Sequence, residues 1–178
     1  SLCAQFNWKY TVEKGKIVTE VPKRAPGQTT ALELTTPKMP VVRVGFVGLG
    51  MRGPGAVARW MHIPGIEVVA LCDYEAKRAE ACQKILRDNS MPAAAIYSGE
   101  EGYKELCKRK DIDLVYIATD WDHHFLVAKC AMENGKHAAI EVPSAINLRE
   151  IWTLIDLSEK TRLHCVMLEN CCYDFFEL

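Results

Sequence analysis

The chain lacks the marks of several specialised protein classes. No apolar run approaches the ~18–20 residues that cross a bilayer, so no membrane span is expected. Neither sign of charge dominates: 22 Lys and Arg stand against 23 Asp and Glu, for a net charge of -1. Nucleic acid and anionic membranes are therefore not expected as partners. There is no C-x-x-C pair among the eight cysteines. Cys72 and Cys165 fall in apolar strand patterns, and Cys82, Cys107 and Cys130 on expected helices. Most read as small buried hydrophobes, not as a metal cluster or disulfide framework. No basic segment followed by an apolar one opens the chain, so no signal peptide is visible. Residue 1 is Ser and not Met, which fits a processed or cut start. The compartment, exported or cytoplasmic, is left open by these features.

What the chain has is one organising stretch, Val41-Val-Arg-Val-Gly-Phe-Val-Gly-Leu-Gly-Met-Arg-Gly53. The β-branched run from Val41 to Val47, interrupted by Arg43 and Gly45, reads as a buried parallel strand. It ends in Gly48, Gly50 and Gly53, a G-x-G-x-x-G. Pro54 then takes a first helical position, with Ala56, Val57, Trp60 and Met61 at helical spacing. Strand, glycine turn and helix together form the context of a dinucleotide fingerprint. Gly48 makes the tight turn, Gly50 admits a pyrophosphate and Gly53 lets the helix pack close. A second apolar run, Glu67-Val-Val-Ala-Leu-Cys-Asp73, ends in an acid 20 residues after Gly53. Such an acid accepts hydrogen bonds from adenosine ribose hydroxyls.

From there strands and helices alternate, the pattern of a parallel sheet with helices on its faces. Tyr74 to Asn89 is an expected helix and Ala93 to Tyr97 a short strand. Ser98-Gly-Glu-Glu101 reads as a capping box opening a helix to about Arg109. Asp113 to Thr119 is a strand, followed by a helix to Asn134 that Gly135 stops. His137 to Glu141 is a strand, Asn147 caps a further helix, and Cys165 to Asn170 is the last strand. The expected fold is α/β: a Rossmann dinucleotide-binding domain, a mostly parallel sheet with helices on both faces. The expected organisation is an N-terminal arm over 1–40, the dinucleotide domain over 41–170, and the start of a further substrate domain over 171–178. In the arm, Tyr10-Thr-Val and Lys16 to Val21 could pair as a hairpin around a Lys-Gly turn. The expectation favoured over the hairpin is an arm lying along the protein surface or a partner subunit.

Ligands of such sheets bind beyond the carboxyl ends of the strands. Met51, Arg52, Asp73, Trp121 to His124, Glu141, Val142, Asn170 and Tyr173 lie there. Arg52 could reach a phosphate or stack on adenine. Trp121 offers a flat ring to nicotinamide or adenine, or packs as a core aromatic. His123 or His124 could donate to the cofactor, shuttle a proton, or simply open a helix in water. Glu141-Val142-Pro143 could hold a cis peptide beside the nicotinamide. Asn170 could bond the carboxamide or ribose, and Tyr173 could act as general acid or base.

Taken together, these residues resemble the glucose–fructose oxidoreductase and inositol dehydrogenase family from about Val41 to the end. That family usually carries Glu-Lys-Pro where this chain has Glu141-Val142-Pro143, and its lysine serves in alcohol oxidation. A narrower resemblance is to glycoside hydrolase family 109. It rests on Gly48-Leu-Gly-Met-Arg-Gly53, Trp121-Asp-His-His124, Glu141-Val-Pro143 and Met167-Leu-Glu-Asn-Cys-Cys-Tyr-Asp-Phe-Phe-Glu-Leu178. Pro22-Lys-Arg-Ala-Pro-Gly27 and Ala31-Leu-Glu-Leu-Thr-Thr36 resemble its N-terminal arm. The resemblance implies an NAD-dependent α-N-acetylgalactosaminidase acting on an amino-sugar glycoside. Its NAD contacts would be Met51, Arg52, Asp73, Trp121, Asp122, His123, His124, Glu141, Val142 and Asn170, beside the turn glycines Gly48, Gly50 and Gly53. Tyr173 would be a candidate base near C2 of the sugar. The implied chemistry is hydride removal at C3, elimination across C1 and C2, water addition and return of the hydride, an exception to two-carboxylate hydrolysis. A homo-oligomer formed through the further domain is also implied. The alternatives are a net NAD(P)-dependent sugar oxidoreductase and a non-catalytic binding protein of the same fold.

Overall fold

The structure is a computed structural model that describes residues 10–19, 21–169 and 171. Two short strands come first, β1 (Tyr10–Glu13) and β2 (Lys16–Thr19), paired antiparallel with Val12 opposite Ile17. The Lys14-Gly15 turn between them takes positive φ at both residues, as a tight hairpin demands. The alternating core then runs β3 (Val42–Val47), α1 (Gly53–Trp60), β4 (Ile66–Asp73), α2 (Ala76–Asp88), β5 (Ala95–Ser98), α3 (Gly102–Lys108) and β6 (Leu114–Ile117). It continues with α4 (Trp121–Glu133), β7 (His137–Glu141), α5 (Leu148–Thr161) and β8 (Cys165–Leu168).

The sheet order is β5-β4-β3-β6-β7-β8. Every neighbouring pair in it is parallel. The chain therefore reverses direction of travel between β3 and β6, which opens a crevice at their carboxyl ends. Strands buried from both sides explain the continuous apolar runs read in the sequence. On one face Val47, Ala70, Val115, Ile117 and Ile140 pack under Leu106, Val127, Ala131, Met132 and Leu154 from α3, α4 and α5. On the other, Val44, Phe46, Leu71 and Tyr116 pack under Val57 of α1, Met61 just after it, and Ala79, Cys82 and Leu86 of α2. Arg43 breaks the β3 run without breaking the strand. Its guanidinium donates to both carboxylate oxygens of Asp113, at 2.8 and 2.9 Å, at the amino ends of β3 and β6.

The capping box expected at Ser98–Glu101 does not form. Ser98 closes β5 in register with Asp73, and α3 opens after Glu101 without a side-chain cap. Gly99, at φ +80, turns the chain between strand and helix, so Ser98 is too far back to reach the first helical N–H groups. Glu101 instead pairs with Lys104 at 2.5 Å. Asn147 does cap α5, accepting from Glu150 N at 3.0 Å.

Residues 22–30 lie along α5. Arg24 donates in a bidentate fork to Glu159, at 2.7 and 2.8 Å. Gln28 donates to Asp156 and Glu159, and Arg162 donates to the carbonyls of Thr29 and Thr30. The Arg24 fork, then burial working against it, leaves the Glu159 carboxyl below its ordinary range. The clamp is thus in place at neutral pH and is lost as pH falls through that lowered value, when Glu159 takes up a proton. Arg24→Ala is expected to speed limited proteolysis between residues 21 and 35 several-fold, with only a small change in melting temperature, because the released backbone belongs to no sheet or helix. Unchanged cleavage there would mean other contacts hold the arm.

Candidate functional site: the cleft over the strand ends

The carboxyl ends of β3, β4, β6 and β7 open into a cleft of about 1230 Å³. Its floor is the glycine turn. Gly48 takes φ +90, and a Cβ there would lie 2.4 Å from the backbone of Ala118 and Thr119. The turn is therefore pressed against the end of β6. A Cβ on Gly53 would lie 2.2 Å from the carbonyl oxygen of Gly48, so α1 starts in contact with the turn. Among the described residues outside its chain neighbours, a Cβ on Gly50 would meet only the guanidinium of Arg78, at 3.6 Å. Two glycines are thus fixed by packing, and the third meets only the end of one long side chain, which leaves room for the close backbone approach that a pyrophosphate requires. The first N–H groups of α1 have no partner within the helix and present the positive end of its dipole to that space.

Asp73 ends β4 almost completely buried. Its Oδ2 accepts from Leu49 N at 2.6 Å and its Oδ1 from Glu75 N at 2.9 Å. The carboxylate therefore ties the glycine turn to the loop after β4, and each oxygen keeps a second lone pair for a ribose hydroxyl. Arg78, in the first turn of α2, lies 3.6 Å from Asp73 Oδ1 and pairs with Glu75 at 2.8 Å. It was not singled out in the sequence. Its signal is an arginine in the first turn of the helix that follows the strand-ending acid.

Across the crevice, Asp120 caps α4, accepting from His123 N at 3.1 Å, and lies 2.7 Å from His123 Nδ1. Burial, working against the His123 bonds, does not prevent a net lowering of the Asp120 carboxyl's pKa. His124 is buried, and its ring spans two backbone carbonyls, Pro143 O at 2.6 Å and Thr119 O at 3.1 Å. It joins the end of β6 to the turn after β7. That turn contains the cis bond Val142–Pro143. Glu141 accepts from the hydroxyl of Tyr116 at 2.5 Å. Trp121 and Met51 are exposed at the rim.

Of the residues expected at the site, Gly48, Gly50, Met51, Arg52, Asp73, Trp121, His123, His124, Glu141 and Val142 line this one cleft. Gly53 lies behind the turn, and Asp122 is in the first turn of α4 but not among the lining residues. Asn170 and Tyr173 lie outside the described residues. The glycine cradle, the anchored acid and the helix N-terminus fit a dinucleotide, held by the turn at its phosphates and by Asp73 at one ribose.

A sequence profile described as "Oxidoreductase family, NAD-binding Rossmann fold" matches residues 42–169. The chain belongs to this family. Among solved members of the fold, myo-inositol dehydrogenase from Lactobacillus casei in complex with NAD(H) and myo-inositol is 28% identical, with a TM-score of 0.63 over 76% of this chain and 38% of that one. An NAD-binding protein from Listeria innocua is 26% identical, with a TM-score of 0.63 over 75% of this chain and 36% of that one. Within the family, the high-identity relatives over nearly the whole chain carry the name glycosyl hydrolase family 109. Protein 5 of that name from Phocaeicola vulgatus is 72% identical over 169 residues, covering 95% of this chain and 32% of that protein. The chain thus spans about a third of the length of the curated relatives it matches. Among the described residues no helix is long and apolar enough to cross a membrane.

Proposed function

We propose that the chain is the NAD-holding part of a glycosidase that cleaves α-linked N-acetylgalactosamine without net oxidation. The observation that carries this reading is the strand end Glu141-Val142-Pro143. Val142 lines the cleft at 40% exposure, where the alcohol-oxidising relatives named in the sequence resemblance carry a lysine. An aliphatic side chain cannot take a proton from a sugar alcohol, so the family's usual strand-end base is absent here, and the proton of the C3 hydroxyl must go to a base from another part of the protein. The 72% identity to a relative named glycosyl hydrolase family 109 supports the same reading.

Bound NAD would supply a reversible hydride acceptor for C3 of the sugar. The chain's own residues set up the rest. Asp73 and the glycine turn hold the adenosine and phosphate half. Trp121, His123, Glu141 and Val142 bound the nicotinamide half, and Asp120 keeps His123 oriented at the start of α4. As the hydride leaves C3, a base would take the C3 hydroxyl proton. The carbonyl so formed acidifies the C2 hydrogen, and a base can remove it while the C1 substituent leaves with a proton. Water adds at C1 as a proton returns to C2, and the hydride and a proton go back to the C3 carbonyl. Tyr173 is the candidate for the base at C2. We further propose that residues 1–40 form an arm, 41–170 the cofactor domain, and 171–178 the lead into a substrate domain. That second wall would position the sugar and exclude water, and would carry the homo-oligomer contact. The full-length protein is expected to release N-acetylgalactosamine from an aryl α-glycoside with no accumulation of NADH. Stoichiometric NADH formed with free sugar, and no cleavage, would favour a net oxidoreductase instead.

A further inference from the structure

Tyr116 lies in the middle of β6, with its ring almost fully buried. Phe46 packs against it at 5.0 Å between centroids, and Trp60 meets it edge-on at 5.1 Å; those two rings stand 5.8 Å apart. Phe46 comes from β3 and Trp60 from the last turn of α1, so three elements fix one ring. A tyrosine hydroxyl in such surroundings needs a partner. The partner is not a backbone group. It is the carboxylate of Glu141, at the end of the neighbouring strand and in the wall of the cleft.

Tyr116 is opposite Ala139 in the β6–β7 register, so its hydroxyl must reach two residues along β7 to meet Glu141. Burial, and then the Glu141 bond, push the hydroxyl's pKa above its ordinary range, so it remains a donor. A donor fixed by an aromatic cluster gives the carboxylate one fixed oxygen and leaves the other to offer to a ligand. The half of the sheet decides which ligand atoms those are. Asp73 assigns the β3–β4–β5 half to adenosine, so β6 and β7 serve the other nucleotide.

We propose that Tyr116 is a positioning residue: it orients Glu141 toward the nicotinamide half of the dinucleotide. This rests on the reading of the cleft as a dinucleotide site. The rigid aromatic cluster under the sheet and the cleft above it are thereby joined through one hydrogen bond.

The test compares NAD with AMP as probes, titrated against the full-length protein as it is and with Tyr116→Phe. Phe keeps the ring and its packing, and removes only the donor. NAD should bind about fivefold to tenfold more weakly, within the range of one ordinary net hydrogen bond, since the lost bond acts on the ligand only through Glu141. AMP, which reaches only the adenosine half, should change by less than about twofold. In a Glu141→Ala background the same Phe substitution should leave NAD affinity unchanged, since a residue that acts through another loses its effect when the second is gone. Equal losses for NAD and AMP would mean that Tyr116 supports the fold only, and overturn the proposal. So would a full Phe effect retained in the Glu141→Ala background. If the unaltered protein bound neither probe, the dinucleotide reading itself would fail, a different outcome from either.

Discussion

Gly48→Ala is expected to destabilise the chain by roughly 3–5 kcal/mol and to abolish dinucleotide binding. Two costs add. The φ of +90 disfavours any side chain, and a Cβ would sit 2.4 Å from the backbone of Ala118 and Thr119. Backbone atoms cannot rotate away as the tip of a long side chain can, so β3 and β6 must part at their carboxyl ends. Their spacing there is what shapes the crevice. A fall in melting temperature on the order of 10 °C should accompany the change in a chain of this size. Gly135 provides the control. It takes φ +76 with nothing within 4 Å of its Cβ position, so Gly135→Ala should cost only about 1–2 kcal/mol of backbone strain. Denaturant unfolding of both variants separates the terms; equal losses would show that the contact with β6 contributes nothing.

Asp73→Ala should weaken NAD binding at least about tenfold and lower stability by about 1–3 kcal/mol. The stability loss follows from Leu49 N and Glu75 N, which both donate to this carboxylate and would be left without it. The affinity loss follows from the ribose hydroxyls. Selectivity should shift as well. The Asp73 charge repels a 2′-phosphate, and Arg78 beside it is held by Glu75 as well as by Asp73. The protein should therefore prefer NAD to NADP, and the variant should lose much of that preference because Arg78 keeps only one acid neighbour. Calorimetric titration of each cofactor into each protein decides it. Tighter binding of NADP than NAD by the unaltered protein would contradict the assignment of Asp73.

These two positions show what is legible in a sequence. Gly48 and Asp73 belong to a local pattern, a strand followed by a glycine turn and a strand ending in an acid, and both spacings are set by the geometry of one βαβ unit. The parallel sheet was legible for a similar reason: runs such as Val44 to Val47 and Val115 to Ile117 are apolar without alternation because both faces are covered. Contacts set by register or by long-range packing left no such trace. The Tyr116–Glu141 bond depends on how β6 and β7 align. The Arg24–Glu159 fork joins residues 135 apart. Arg78 reaches the cleft only because α2 begins beside the glycine turn. Ser98–Glu101 matched a capping pattern in sequence and failed to cap, since Gly99 turned the chain before the helix began. His124 reads in sequence as a cofactor contact, a proton carrier or a helix-opening histidine; it lines the cleft, and that its ring also spans two carbonyls within the protein left no mark in the sequence.

Under the proposed function, this cleft holds NAD for a redox cycle that closes on itself during glycoside cleavage. The most direct measurement runs the full-length protein on an aryl α-N-acetylgalactosaminide in deuterated water, reading C2 of the released sugar by NMR and nicotinamide by absorbance at once. A cycle through a C3 ketone loses the C2 hydrogen to solvent and takes one back, so the product should carry deuterium at C2 while no NADH accumulates. Released sugar that keeps its original hydrogen at C2 would contradict the claim and place the cleavage on a direct-displacement route with no role for the dinucleotide.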